Sequence, residues 1–143
     1  MPEVNRSVLV DYTPEQMFGL VDDVERYPEF LPWCGGASVS HHDDTRTRAT
    51  IEISYRGIRQ SFTTENTKRP PREMDLRLVE GPFRELDGQW RFNPLGERGC
   101  KVEFRLRYEF SSRVLAKLLG PVFEFIANSF IEAFVKRANT LFG

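Results

Sequence analysis

The side chains able to do chemistry are few, and their spacing argues against most of it. His41 and His42 are adjacent and run into Asp43-Asp44. Neighbouring side chains on an extended segment point to opposite sides, so one metal ion is poorly served by both imidazoles, and the run reads as a polar turn. Cys34 and Cys100 lie far apart, with neither a C-x-x-C pair nor a zinc-ligand spacing, and are expected as buried, reduced thiols. No G-x-S-x-G, H-E-x-x-H, phosphate loop or G-x-G-x-x-G occurs, so no catalytic set, metal site or cofactor is expected. Glu52 and Arg91 are the candidates for an acid, base or oxyanion partner, yet strand alternation turns both outward. Lys68, Arg69 and Arg72 cluster tightly and read as a solvated turn around Pro70-Pro71.

What the sequence offers instead is an excess of apolar and aromatic side chains. The chain carries 12 phenylalanines in 143 residues, which ask for a large core or a cavity. Tyr27-Pro28-Glu29-Phe30-Leu31-Pro32-Trp33-Cys34 has two prolines and three aromatics. A connection so apolar and stiff either packs on the core or presents apolar surface to something that binds.

These residues need elements to hold them. Length predicts a single domain spanning 1–143, with 40% hydrophobic and 29% charged residues placing it among globular proteins. A formal charge of -1 gives no global signature for nucleic acid. The start, MPEVNRSVLV, resembles neither a signal nor a transit peptide, and a cytoplasmic protein is expected. The most apolar window, Val114 to Val135, carries Lys117, Glu124 and Glu132, which argues against a transmembrane span.

Val4 to Val10 alternates as a first strand. Thr13-Pro14-Glu15-Gln16 matches a capping box opening a short helix, with a second short turn from Val24 to Arg26 that Pro28 ends by pushing Tyr27 out of helix. The period then becomes two: Ala49 to Tyr55 and Ile58 to Asn66 form a hairpin through Gly57, followed by strands over Met74 to Val79, Leu86 to Phe92 and Val102 to Phe110. Ser112 to Phe142 is a long helix with Phe123, Ile126, Ala127, Phe130, Phe134, Ala138 and Leu141 on one face. A kink or break is expected at Gly120-Pro121, and a helical ion pair between Glu132 and Lys136. Phe125 and Val135 lie off the stripe, either as a partner or membrane contact or packed under a neighbouring strand. The fold class is α+β, a curved antiparallel sheet gripping the long helix. One helix of about 10 Å diameter cannot fill such a trough, so a cavity is expected.

Tyr27-Pro28-x-Phe30-Leu31-Pro32-x-Cys34, Gly81-Pro82-Phe83, Leu86-x-Gly88-x-Trp90-x-Phe92-x-Pro94 and Phe130-x-x-x-Phe134-x-x-Arg137-Ala138 together resemble the coenzyme Q-binding START-like family over essentially the whole chain. The resemblance implies the helix-grip fold and a non-enzymatic tunnel for ubiquinone or a similar isoprenoid lipid, serving respiratory electron transport or quinone biosynthesis. It places Tyr27, Pro28, Phe30, Leu31, Pro32 and Trp33 at the mouth and Phe83, Trp90, Phe130 and Phe134 near the cavity as ligand-binding residues, with transient contact to the inner membrane surface. The same family includes ribosome-association toxins and members labelled polyketide cyclase. It therefore also implies, as alternatives, binding to the large ribosomal subunit that blocks subunit association, or a cyclase-like enzyme. A ribosome-binding face should be basic, whereas Lys101, Arg105 and Arg107 share their strand face with Glu103 and Glu109.

Overall fold

The computed structural model describes residues 2–143. Strand β1 (Glu3–Val10) leads to helix α1 (Pro14–Asp22) and a 3₁₀ helix (Val24–Glu29). Six strands follow: β2 (Cys34–His42), β3 (Arg46–Tyr55), β4 (Ile58–Arg69), β5 (Glu73–Glu80), β6 (Phe83–Leu95) and β7 (Gly99–Phe110). Helix α2 (Arg113–Phe142) closes the chain. All seven strands form one antiparallel sheet in the order β1-β7-β6-β5-β4-β3-β2, so β2 to β7 is a meander and β1 crosses over to pair with β7.

Local chemistry accounts for most boundaries. The Thr13 hydroxyl accepts from the Gln16 amide at 3.1 Å and the Gln16 side chain accepts from the Thr13 amide at 2.8 Å, the reciprocal pairing that satisfies two free donors at a helix start. Ser112 caps α2 through the Leu115 amide at 3.1 Å. The β3–β4 hairpin turns through Arg56 and Gly57 with φ of 50° and 80°, the left-handed pair that matches strand twist.

Several expectations are corrected. Residues 34–42 form a strand, so His41 and His42 close β2 rather than lying in a turn; the turn is Asp43 to Thr45, where Asp43 accepts from the Thr45 and Arg46 amides at 2.9 and 2.8 Å. The 3₁₀ helix runs through Pro28 to Glu29, because a tighter helix six residues long loses little to a missing amide near its end. Helix α2 is unbroken at Gly120-Pro121; Pro121 is exposed there, so its ring displaces no packed neighbour. Among the described residues Glu132 and Lys136 make no ion pair, whereas Arg137 reaches Glu29 at 2.6 Å.

Helix α2 lies across the concave face of the sheet. Its inward stripe is Leu119, Phe123, Ile126, Ala127, Ile131, Phe134 and Ala138, all buried; Leu119 and Ile131 take places in it that were not expected, while the expected Phe130 is half-buried and Leu141 half exposed. By length and composition α2 is also apolar enough to cross a membrane despite its charges, although the inward stripe here covers the sheet. Val114, Leu118 and Phe125 remain exposed on the outer side of its first half, with Phe125 stacked on Tyr55 at 5.5 Å; Val135 is half-buried against the core.

Candidate functional site

Between α2 and the sheet lies an apolar cavity of about 70 Å³. Helix α2 supplies Phe123, Ile126, Ala127 and Phe130 as its roof, and β6 and β7 supply Leu86, Trp90, Phe104 and Leu106 as one wall. Phe62, Thr64 and Asn66 of β4 form the opposite wall, with Met74 and Leu76 of β5 on the floor between. Val21, Val24, Tyr27 and Trp33 close the end beside α1. The alternation of strand side chains puts these residues on one face, and sheet curvature turns that face into a trough.

Phe130 is the hub of the aromatic part. Its ring lies 5.6 Å from Phe104, 5.8 Å from both Trp33 and Trp90, and 6.1 Å from Tyr27. The Tyr27 hydroxyl donates to the Val21 carbonyl. Burial, reinforced by the charge of Asp22, raises the Tyr27 pKa far above its ordinary value, so the phenol stays neutral. Tyr27 is the one ionisable side chain lining the cavity. Burial likewise raises the Cys34 thiol and pushes Cys100 up to about 11, and both thiols are free and buried.

The expected binding residues therefore divide. Tyr27, Trp33, Trp90 and Phe130 line the cavity. Phe134 packs behind them, 5.4 Å from Tyr27 and 5.5 Å from Trp90, and Phe83 packs at the other end, 4.9 Å from Phe123. Leu31 is core, Pro28 and Pro32 are exposed, and Phe30 lies under the Arg137 guanidinium at 5.0 Å. None of Pro28 to Pro32 is among the residues lining the cavity; from this stretch Phe30 meets Phe134 at 5.3 Å and Glu29 meets Arg137 at 2.6 Å, both on the C-terminal half of α2. Glu52 and Arg91 stand away from the cavity; Glu52 meets Arg59 at 3.3 Å and Arg91 is exposed.

The polar residues of β4 were missed. Thr64, Asn66 and Lys68 are 6%, 5% and 3% exposed. They share the parity of Phe62, and that parity was the available signal. Lys68 is no solvated turn residue: its ammonium meets both oxygens of Asp22, at 3.0 and 3.2 Å, where α1 ends over the sheet. Thr47 and His42 add contacts to the same carboxylate at 3.5 and 3.3 Å. Thr64 donates its hydroxyl to Asn66 Oδ1 at 2.9 Å.

On the convex face, carboxylates neutralise much of the basic charge. Arg107 meets Asp87 at 3.6 Å, Lys101 meets Glu103 at 3.3 Å, and Arg69 bridges Glu73 and Asp75 at 2.7 and 2.9 Å. Arg77, Arg91 and Arg105 are exposed and carry no ion pair among the described residues.

This helix-over-sheet arrangement has counterparts. A family model described as polyketide cyclase/dehydrase and lipid transport matches residues 10–135. The chain belongs to this family. Among its relatives, the Ribosome association toxin RatA of Vibrio cholerae is 43% identical over 143 residues, covering 100% of this chain and 99% of that protein. The mitochondrial Coenzyme Q-binding protein COQ10 homolog B of Xenopus laevis is 28% identical over 146 residues, covering 99% of this chain and 59% of that one. The solution structure of the 18 kDa protein CC1736 from Caulobacter crescentus superposes with a TM-score of 0.75 at 30% identity, covering 99% and 98% of the two chains. The Zhui aromatase/cyclase from Streptomyces reaches a TM-score of 0.84 at 15% identity, covering 96% and 93%, a likeness of fold alone.

Proposed function

We propose that this protein is a cytoplasmic, non-enzymatic member of the family that associates with the large ribosomal subunit and blocks subunit joining. The observation that carries this reading is the 43% identity with RatA over 100% of this chain and 99% of that protein. The unpaired Arg77, Arg91 and Arg105 on the convex face are the groups suited to phosphate contact. Co-sedimentation with purified large subunits tests it. Binding that weakens steeply as salt rises, and weakens further in the triple alanine variant of those arginines, is the expected outcome; no co-sedimentation of folded protein at low salt rejects it.

A second reading, binding of a neutral apolar ligand such as ubiquinone or another isoprenoid lipid, is favoured by the apolar cavity. Its size sets a condition. About 70 Å³ is far below the roughly 300–1,000 Å³ of sites that enclose drug-sized ligands, so a quinone with its tail enters only if α2 rides outward. Solvent extraction of the purified protein, repeated after incubation with quinone-loaded vesicles, tests the ubiquinone form of this reading. Near-stoichiometric quinone supports it and an empty extract rejects it.

A further inference from the structure

The side of α2 that faces away from the sheet changes character along its length. Glu132, Lys136 and Asn139 occupy it in the second half, all exposed, as a solvated helix face requires. In the first half the same side carries Val114, Leu118, Pro121 and Phe125, also exposed. Val114, Leu118 and Phe125 are 75%, 58% and 51% exposed, and Tyr55 extends the patch by stacking on Phe125 at 5.5 Å. The steps from Val114 to Phe125 are four, three and four residues, the spacing that keeps an apolar seam against a second helix.

Charges beside the seam are segregated by sign. Arg113 and Lys117 flank its start and Glu124 its end, all on one side of the helix and all exposed. Among the described residues Lys117 and Glu124 make no ion pair, and about 10 Å of helix separates them. From this arrangement we infer that the seam is an isologous contact between two copies of the chain, with their α2 helices antiparallel about a two-fold axis between Leu119 and Gly120. That register sets Val114 against the partner's Phe125 and Leu118 against the partner's Pro121. It also brings Lys117 beside the partner's Glu124, twice over by symmetry. A parallel pairing would set basic end against basic end and align the two helix dipoles. An anionic lipid surface would demand no such spacing and would be opposed by Glu124. The seam is only about 17 Å long, so the dimer dissociates on dilution. The inference rests on neither functional reading.

Sedimentation velocity of the full chain, from micromolar to millimolar concentration, tests it. The wild type should pass from monomer to dimer over that range. Leu118→Glu sets a charge in the seam and should weaken association at least about tenfold. Lys117→Glu and Glu124→Lys each replace two attractions by two repulsions and should weaken it roughly fivefold, whereas the double variant Lys117→Glu/Glu124→Lys should recover the wild-type value. All four positions changed or recovered here are exposed, and an unchanged circular dichroism spectrum shows that each variant is folded. A wild type that stays monomeric throughout overturns the inference, as does a dimer indifferent to Leu118→Glu or a double variant no better than its parents. Monomeric protein that instead floats with anionic vesicles, and loses flotation in Leu118→Glu, overturns it in favour of a lipid surface.

Discussion

The two long strands facing each other across the cavity, β4 and β7, are built on opposite principles. The inward row of β7 is Cys100, Val102, Phe104, Leu106, Tyr108 and Phe110, all buried, and the apolar surface it removes from water is a direct source of stability. The inward row of β4 begins with Phe62 and continues Thr64, Asn66 and Lys68. Phe62 is half-buried and the three polar residues after it are as buried as the β7 row, yet every polar atom on them needs a partner to avoid a penalty. One wall holds the fold together by area, the other is tolerated because of specific contacts.

The contrast predicts where the molecule breaks. Asp22→Ala leaves the Lys68 ammonium, with a side chain 1% exposed, without its carboxylate, and should cost about 3–5 kcal/mol in urea unfolding. Combining it with Lys68→Met should restore most of that loss, because two apolar groups leave nothing buried and unpaired; failure of the double variant to recover would show that the pair is itself a net source of stability. On the other wall Phe104→Ala should cost about 3 kcal/mol, the low end for a buried aromatic, since one side of the ring already faces free space. A loss well above that would mean the cavity is packed more tightly than its volume implies. The smallest effect concerns ionisation. Cys100 has its pKa raised from 9.0 to about 11, so the folded state holds the proton more tightly than the unfolded state. Its contribution is fully present below about pH 9 and is lost as pH rises towards about 11. Stability measured over that interval should fall less in Cys100→Ala than in the wild type, and an identical slope would place the alkaline loss elsewhere.

The same contrast explains what could be read without coordinates. Strand β7 alternates without an error, and the long helix shows its stripe through Phe123, Ile126, Phe134 and Ala138, so the α+β helix-grip architecture followed from two periods. Strand β2 was invisible because Gly35-Gly36 and His41-His42 resemble turns and because irregularities between Cys34 and Gly36 and between Val39 and His41 break the period. Trp90 and Phe130 were legible as cavity residues, and Trp33 as a residue of its mouth, only through the motifs shared with the family. Asn66 and Lys68 were not, because charge and polarity normally report solvent; only their parity with Phe62 carried the information. The Tyr27 to Trp33 run was legible as apolar but not as to its use, since packing on α2 and opening to a ligand demand the same residue types.

The pairing of β1 with β7 also governs how the protein is made. Val4 faces Leu106 and Val8 faces Val102 across the ladder, partners separated by most of the chain. Contacts this distant in sequence slow folding, since a long loop must close before any of them forms. During synthesis β1 emerges before the other strands and has no neighbour until β7 appears, and the sheet has no cover until α2 follows it. A nascent chain therefore holds an unpaired strand until β7 is made and an unroofed apolar trough until α2 is made, which makes the synthesis of the segment between β1 and α2 the interval in which this fold is most exposed to aggregation and proteolysis.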